Sequence, residues 1–201
     1  MRRIMGVIAT GAAATWLILA TPAVAEPVGL DCMAASYTSG EQATIEQLSP
    51  KFGLDAKGNG NQAAETLAKM GGNAAQACAD KSGWTSEELL YASLFEIGRL
   101  SEHAFRISGI MPADQLEKLD GALAKGDRDE LWAAIERSVM GGMTKTQGEA
   151  SAQDTFAMGA FLLGAGVNTD HKSAENTGIL LGFMALQRIG RREFSALQKG
   201  K

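Results

Sequence analysis

Carboxylates are the most numerous groups in this chain that could do chemistry, and two stand apart. Asp154 directly precedes one apolar helical run and Glu175 enters another, so both are candidates for a partly buried acid. A hydrolase of envelope polymers would need such an acid in a cleft with a raised pKa. The competing reading is a first-turn acid favoured by the helix dipole. The remaining acids, such as Glu87, Glu102, Asp129 and Glu136, fall on polar faces or at helix starts. No G-x-S-x-G elbow, Ser-x-x-Lys set or Gly-rich phosphate loop is present. The sequence therefore predicts no catalytic residue and argues against an enzyme.

Metal-ligating patterns are equally thin, and no cofactor is implied. The two histidines, His103 and His171, are far apart, and His103 lies between Arg99 and Arg106. Met140 and Met143 form M-x-x-M without a histidine, so core filling explains them better than soft-metal binding. Residues 55–61 partly match a calcium loop, with Asp55 and Asn59 at ligand positions 1 and 5 and Gly60 at position 6. Lys57 occupies position 3, where a cation repels calcium, and Thr66 replaces the closing Glu. A plain Asn/Gly turn accounts for the same residues.

Cys32 and Cys78 are the only cysteines. Their expected state depends on the N-terminus. Arg2 and Arg3 precede an apolar run from Ile4 to Leu19, then Pro22 and Ala23-Val24-Ala25. That is the layout of a secretory signal peptide over residues 1–25, with cleavage before Glu26. The run is short for a membrane span. Export predicts a periplasmic or secreted protein whose two thiols pair as a structural disulfide.

Positioning these residues falls to helices. The 201 residues are 45% hydrophobic, 6% aromatic and 21% charged, with 24 glycines and only 4 prolines. This composition excludes a disordered chain and disfavours a large β-sandwich. The formal charge of −4 becomes −6 without Arg2 and Arg3, which disfavours nucleic acid as a partner. Apolar residues recur at helical spacing throughout 26–201. Thr85 with Glu88 forms a capping box, and Leu90, Leu94, Ile97, Leu100, Ala104 and Ile107 make one stripe. Pro112, Asp127 and Asp170 open further helices. Gly71-Gly72 and Gly141-Gly142 are expected weak points or ends.

The fold expected is all-α: one domain, a bundle of about seven helices around a buried apolar C-terminal pair within 156–190. Phe156 to Val167 is apolar on every side, and so is the first half of the helix after Asp170. Gly178 and Gly182 form a G-x-x-x-G step that would let the pair approach closely. A basic end carries Arg188, Arg191 and Arg192, which suits a helix terminus or contact with an anionic surface.

Three functions from different classes follow. The first is a non-enzymatic envelope protein that contacts another envelope protein and is not integral to the membrane after cleavage. The second is a carrier whose helical cavity, lined by Phe156, Met158, Phe161, Phe183 and Met184, holds a hydrophobic small molecule. The third is the hydrolase. An exposed apolar patch favours the first and a closed apolar cavity the second.

Overall fold

A computed structural model describes residues 29–54, 59–144 and 151–200. The expected signal peptide, its cleavage site and Asp55 lie outside the described residues. The protein is all-α. In chain order the helices are α1 (Asp31–Ser36), α2 (Ser39–Leu48), α3 (Gln62–Ser82), α4 (Ser86–Ile107), α5 (Ala113–Leu123), α6 (Asp129–Thr144), α7 (Ala152–Ala165) and α8 (His171–Lys199). A 3-10 turn at Ser49–Lys51 follows α2, and Leu54 pairs with Gly60 in an isolated antiparallel bridge.

Local chemistry sets most helix starts. Thr38 and Thr85 each accept a hydrogen bond from the backbone N–H three residues on, and Glu41 and Glu88 reciprocate. Ser151 and Asp170 cap α7 and α8 through the N–H groups of Asp154 and Ser173. Gly83 and Gly166 end α3 and α7 with φ near +66° and +67°, where a side chain would be strained. The glycine pairs do not break their helices: α3 runs through Gly71-Gly72 and α6 through Gly141-Gly142. At Gly71 the reason is packing, since an added Cβ would stand 3.3 Å from the backbone nitrogen of Ile97 in α4.

The centre of the bundle is α4 against α8, with α3 on the other side of α4. Here two glycines let backbones approach. A Cβ on Gly190 would lie 2.5 Å from the Tyr91 carbonyl oxygen, and one on Gly98 would lie 2.8 Å from that of Phe183. This corrects the expected C-terminal pair. α8 is central, but α7 packs on α6 and α5 at the edge of the bundle rather than on α8. Among its described residues only Asp154 and Phe161 are buried. Gly178 has no neighbour within 4 Å of a would-be Cβ, and Gly182 has only Val139 at 4.0 Å, so this step is not a close contact. The physical reason is that α4 offers α8 a longer buried face than α7 can. The single stripe read on α4 was too narrow. Leu90 and Ile107 are exposed, while Ala92, Phe95, Glu96, Gly98 and Ser101 are buried.

Two apolar clusters result. One gathers Phe52, Leu67, Phe105, Leu119, Leu131 and Leu180 with their neighbours. The other gathers Leu30, Met33, Ala75, Cys78, Phe95 and Phe194. Cys32 and Cys78 are bonded, with Sγ–Sγ 2.08 Å and Cα–Cα 6.0 Å, tying α1 to α3. Beside this cluster Glu96 is fully buried, yet paired. It accepts hydrogen bonds from the Tyr37 hydroxyl at 2.7 Å and from Arg99 at 2.6 and 2.8 Å. Burial, with Glu96 alongside, pushes the Tyr37 phenol well above its usual range.

Candidate functional site

The unusual surface of this protein is α7. A helix at the edge of a bundle ordinarily turns charged side chains to water. In α7 the sole ionisable residue is Asp154, and it points inward. The outward arc runs through Ala152, Phe156, Ala160, Leu163 and Gly164, all exposed. Phe156 is 76% exposed and Leu163 is 72% exposed, the two highest values among the large apolar residues described. They are seven residues apart, about 10 Å along one face. The small residues Gly159 and Ala160 leave a dip between them.

Asp154 holds the start of α7 in place. Its carboxylate pairs with both Nε and Nη2 of Arg137 in α6, and Ser151 caps the same turn. The Arg137 hydrogen bond first, and then Ser151, keep this carboxyl below the ordinary range. Asp154 is thus a held anion, opposite to the raised acid that a hydrolase requires. The far end of α7 is pinned by the Asn168 N–H, which donates to the buried Gln115 side chain at 2.7 Å.

On one side of the ridge, α7, α6 and α8 enclose a groove of about 560 Å³. Val139, Met158, Leu162, Ile179 and Leu181 supply its apolar walls, and Gly159, Gly178 and Gly182 leave it room. It opens at Thr155, Gly178 and the exposed carboxylate of Glu175. On the other side, a cleft of about 420 Å³ lies between α7 and the first turn of α6. Phe156, Ala160 and Phe161 form one wall, and Asp127, Asp129 and Glu130 stand on the other. Arg128 shares the cleft, but its guanidinium turns inward. It donates twice to the Ala122 carbonyl and lies 5.4 Å from the Phe161 ring centre.

The five residues expected to line one ligand cavity are not brought together. Met158 faces the α6–α7–α8 groove, whereas Phe161 is buried and reaches the opposite cleft. Phe156, largely exposed, lines that cleft beside Phe161. Phe183 belongs to an aromatic group with Phe52 and Phe105, at ring-centre distances of 5.9 and 6.2 Å. Met184 packs, partly buried, against the same core. Treating an all-apolar helix as all-buried caused the error.

The basic end of α8 is likewise engaged inside the fold. Arg188 and Arg192 both pair with Glu136, at 3.3 and 2.5 Å, and Arg188 also lies 4.5 Å from the Trp132 ring centre. Arg191 stacks 5.1 Å from the centre of Phe95. These contacts engage the three arginines within the fold, as a helix terminus would, while Arg188 and Arg192 stay about half exposed. His103 is exposed. Among the described residues no group of three or more His, Cys, Asp or Glu could hold a metal ion, and no helix is long and apolar enough to cross a membrane.

No family model, curated protein or solved structure matches this chain.

Proposed function

We propose that this protein is exported and works by contact with another protein of the envelope, docking through the outward face of α7. The observation that carries the reading is the exposure of Phe156 and Leu163 on a helix that shows water no charge. Fully burying a Phe or Leu side chain is worth about 1.5–3 kcal/mol, so these two anchors together offer about 3–6 kcal/mol to a partner. Large aromatic anchors set among small neighbours are the usual energetic centre of an interface. Both ends of α7 are fixed by buried or capped polar contacts, so the face is presented rigidly, and little ordering is lost on binding.

The test is affinity capture from an envelope extract with the wild-type protein and with Phe156→Asp. A partner held by the wild type and lost from Phe156→Asp, at unchanged melting temperature, supports the reading. Equal capture by both contradicts it.

A second reading is favoured by a separate observation. The apolar groove beside α7 is large enough for a hydrophobic small molecule, with Glu175 at its mouth. Native mass spectrometry of protein purified from its own compartment distinguishes the two. A retained small-molecule mass lost in Met158→Asp favours a carrier.

A further inference from the structure

The uncharged α7 face is bordered, across the cleft beside it, by the carboxylates of Asp127, Asp129 and Glu130. We infer that the partner segment seated there is basic and amphipathic, a helix with apolar anchors on one face and Lys or Arg beside them. This rests on the reading of α7 as a docking face and adds the partner's chemistry to it.

The site is the apolar ridge and cleft; the acids set its sign. Phe156 and Leu163 are knobs about 10 Å apart with a dip at Gly159 and Ala160 between them. That relief accepts an apolar side chain of a helix laid alongside. The cleft next to Phe156, about 420 Å³ and floored by Leu131 and Phe161, has room for another. Its far wall carries Asp127, Asp129 and Glu130, all exposed and, among the described residues, in no ion pair. The lining of the cleft sets one cation, Arg128, against these three carboxylates, so the wall stays net acidic. Arg128 is turned to the Ala122 carbonyl and the Phe161 ring, and Arg137 is neutralised by Asp154. The groove side adds another exposed carboxylate, Glu175, with Lys172 one turn before it on α8. A basic rim on the partner would meet the three carboxylates as its anchors enter the cleft, whereas an acidic one would be repelled.

The experiment uses the mature chain and two labelled 18-residue helical peptides, one of Leu and Lys and one of Leu and Glu in the same amphipathic pattern. Binding is read by fluorescence anisotropy. The Leu/Lys peptide is expected to bind at least tenfold more tightly than the Leu/Glu peptide. Its affinity should fall about tenfold in the combined variant Asp127→Asn, Asp129→Asn, Glu130→Gln, whose amides keep the capping acceptors. It should fall about as much in Phe156→Ala. A control triple on other helices, Glu46→Gln, Glu65→Gln, Glu87→Gln, should change it by less than twofold. An equal loss in the control triple would overturn the inference, since overall charge would then explain the attraction. Equal binding of both peptides, lost in Phe156→Ala, would overturn the basic partner and leave the α7 docking face standing. Binding of neither peptide would overturn the inference alone, because the capture experiment judges the docking face separately. A concentration-dependent dimer abolished by Phe156→Ala would overturn it in favour of a second copy of this chain. Flotation with phosphatidylcholine vesicles that depends on Phe156 would overturn it in favour of a lipid surface.

Discussion

Replacing Gly190 by Ala should test the centre of the bundle more sharply than any larger change. The added Cβ would stand 2.5 Å from the Tyr91 carbonyl oxygen, 2.7 Å from the Phe95 nitrogen and 2.8 Å from the Phe95 Cβ. Two of these are backbone atoms of α4, which cannot rotate away. Restoring ordinary contact near 3.4 Å requires α8 to withdraw by about 1 Å. A gap of that size forfeits a quarter to a half of each dispersion contact across the interface. Overpacking of this kind costs about 1–3 kcal/mol, and the backbone clash places Gly190 at the upper end. Alanine's better helix propensity returns about 0.5–1 kcal/mol. The net expectation is a loss of about 2 kcal/mol, or a melting temperature lower by about 4–8 °C for a domain of this size. Gly182→Ala is the paired control. Its Cβ would meet only Val139 at 4.0 Å, so the propensity gain should raise the melting temperature by about 1–4 °C. Thermal melts followed by circular dichroism read both. A Gly190→Ala protein melting at or above wild type would refute the α4–α8 contact as described.

Three further outcomes follow from the polar and covalent contacts. Reducing the Cys32–Cys78 bond, which spans 46 positions, should cost up to about 4 kcal/mol and lower the melting temperature by about 8–16 °C in a thiol titration series. Asp154→Asn should melt below wild type at pH 7. Because the folded-state pKa is lowered, that advantage is present above about pH 4 and shrinks as pH falls further, so the gap between the two melting temperatures should narrow steadily on acidification. Tyr37 is raised, so its contribution is complete below its usual pKa near 10 and declines as pH rises beyond it. Ultraviolet titration should show one tyrosinate step coinciding with alkaline unfolding, and Tyr37→Phe should remove that step.

How much of this was legible in the sequence differs by element. The capping box at Thr85 and Glu88 and the cap at Asp170 were readable because they depend on neighbours three residues away. The Cys32–Cys78 pairing was readable from the count of two together with the expectation of export. The α4–α8 contact was not readable, since Gly98 and Gly190 are far apart in sequence and glycine carries no apolar signal of its own. The same blindness hid Glu96. A carboxylate in mid-helix reads as a solvated face until Tyr37 and Arg99 are seen to satisfy it. The exposed face of α7 was not legible for the opposite reason. Hydrophobicity marks α7 as needing cover, and the sequence does not state that its own bundle leaves half of it uncovered. The acids at Asp127, Asp129 and Glu130 were read as a helix start. Their place beside Phe156 emerges only when α6 and α7 pack together.

The central claim is that the outward face of α7 is where this protein meets its partner. The most direct measurement places photo-reactive benzoylphenylalanine at position 156, at 163 and, as a control, at the exposed Gln76 of α3, and irradiates the intact envelope. The account predicts one discrete protein adduct shared by positions 156 and 163, and none at 76. Absence of an adduct at both α7 positions, or an equal pattern from position 76, would contradict it.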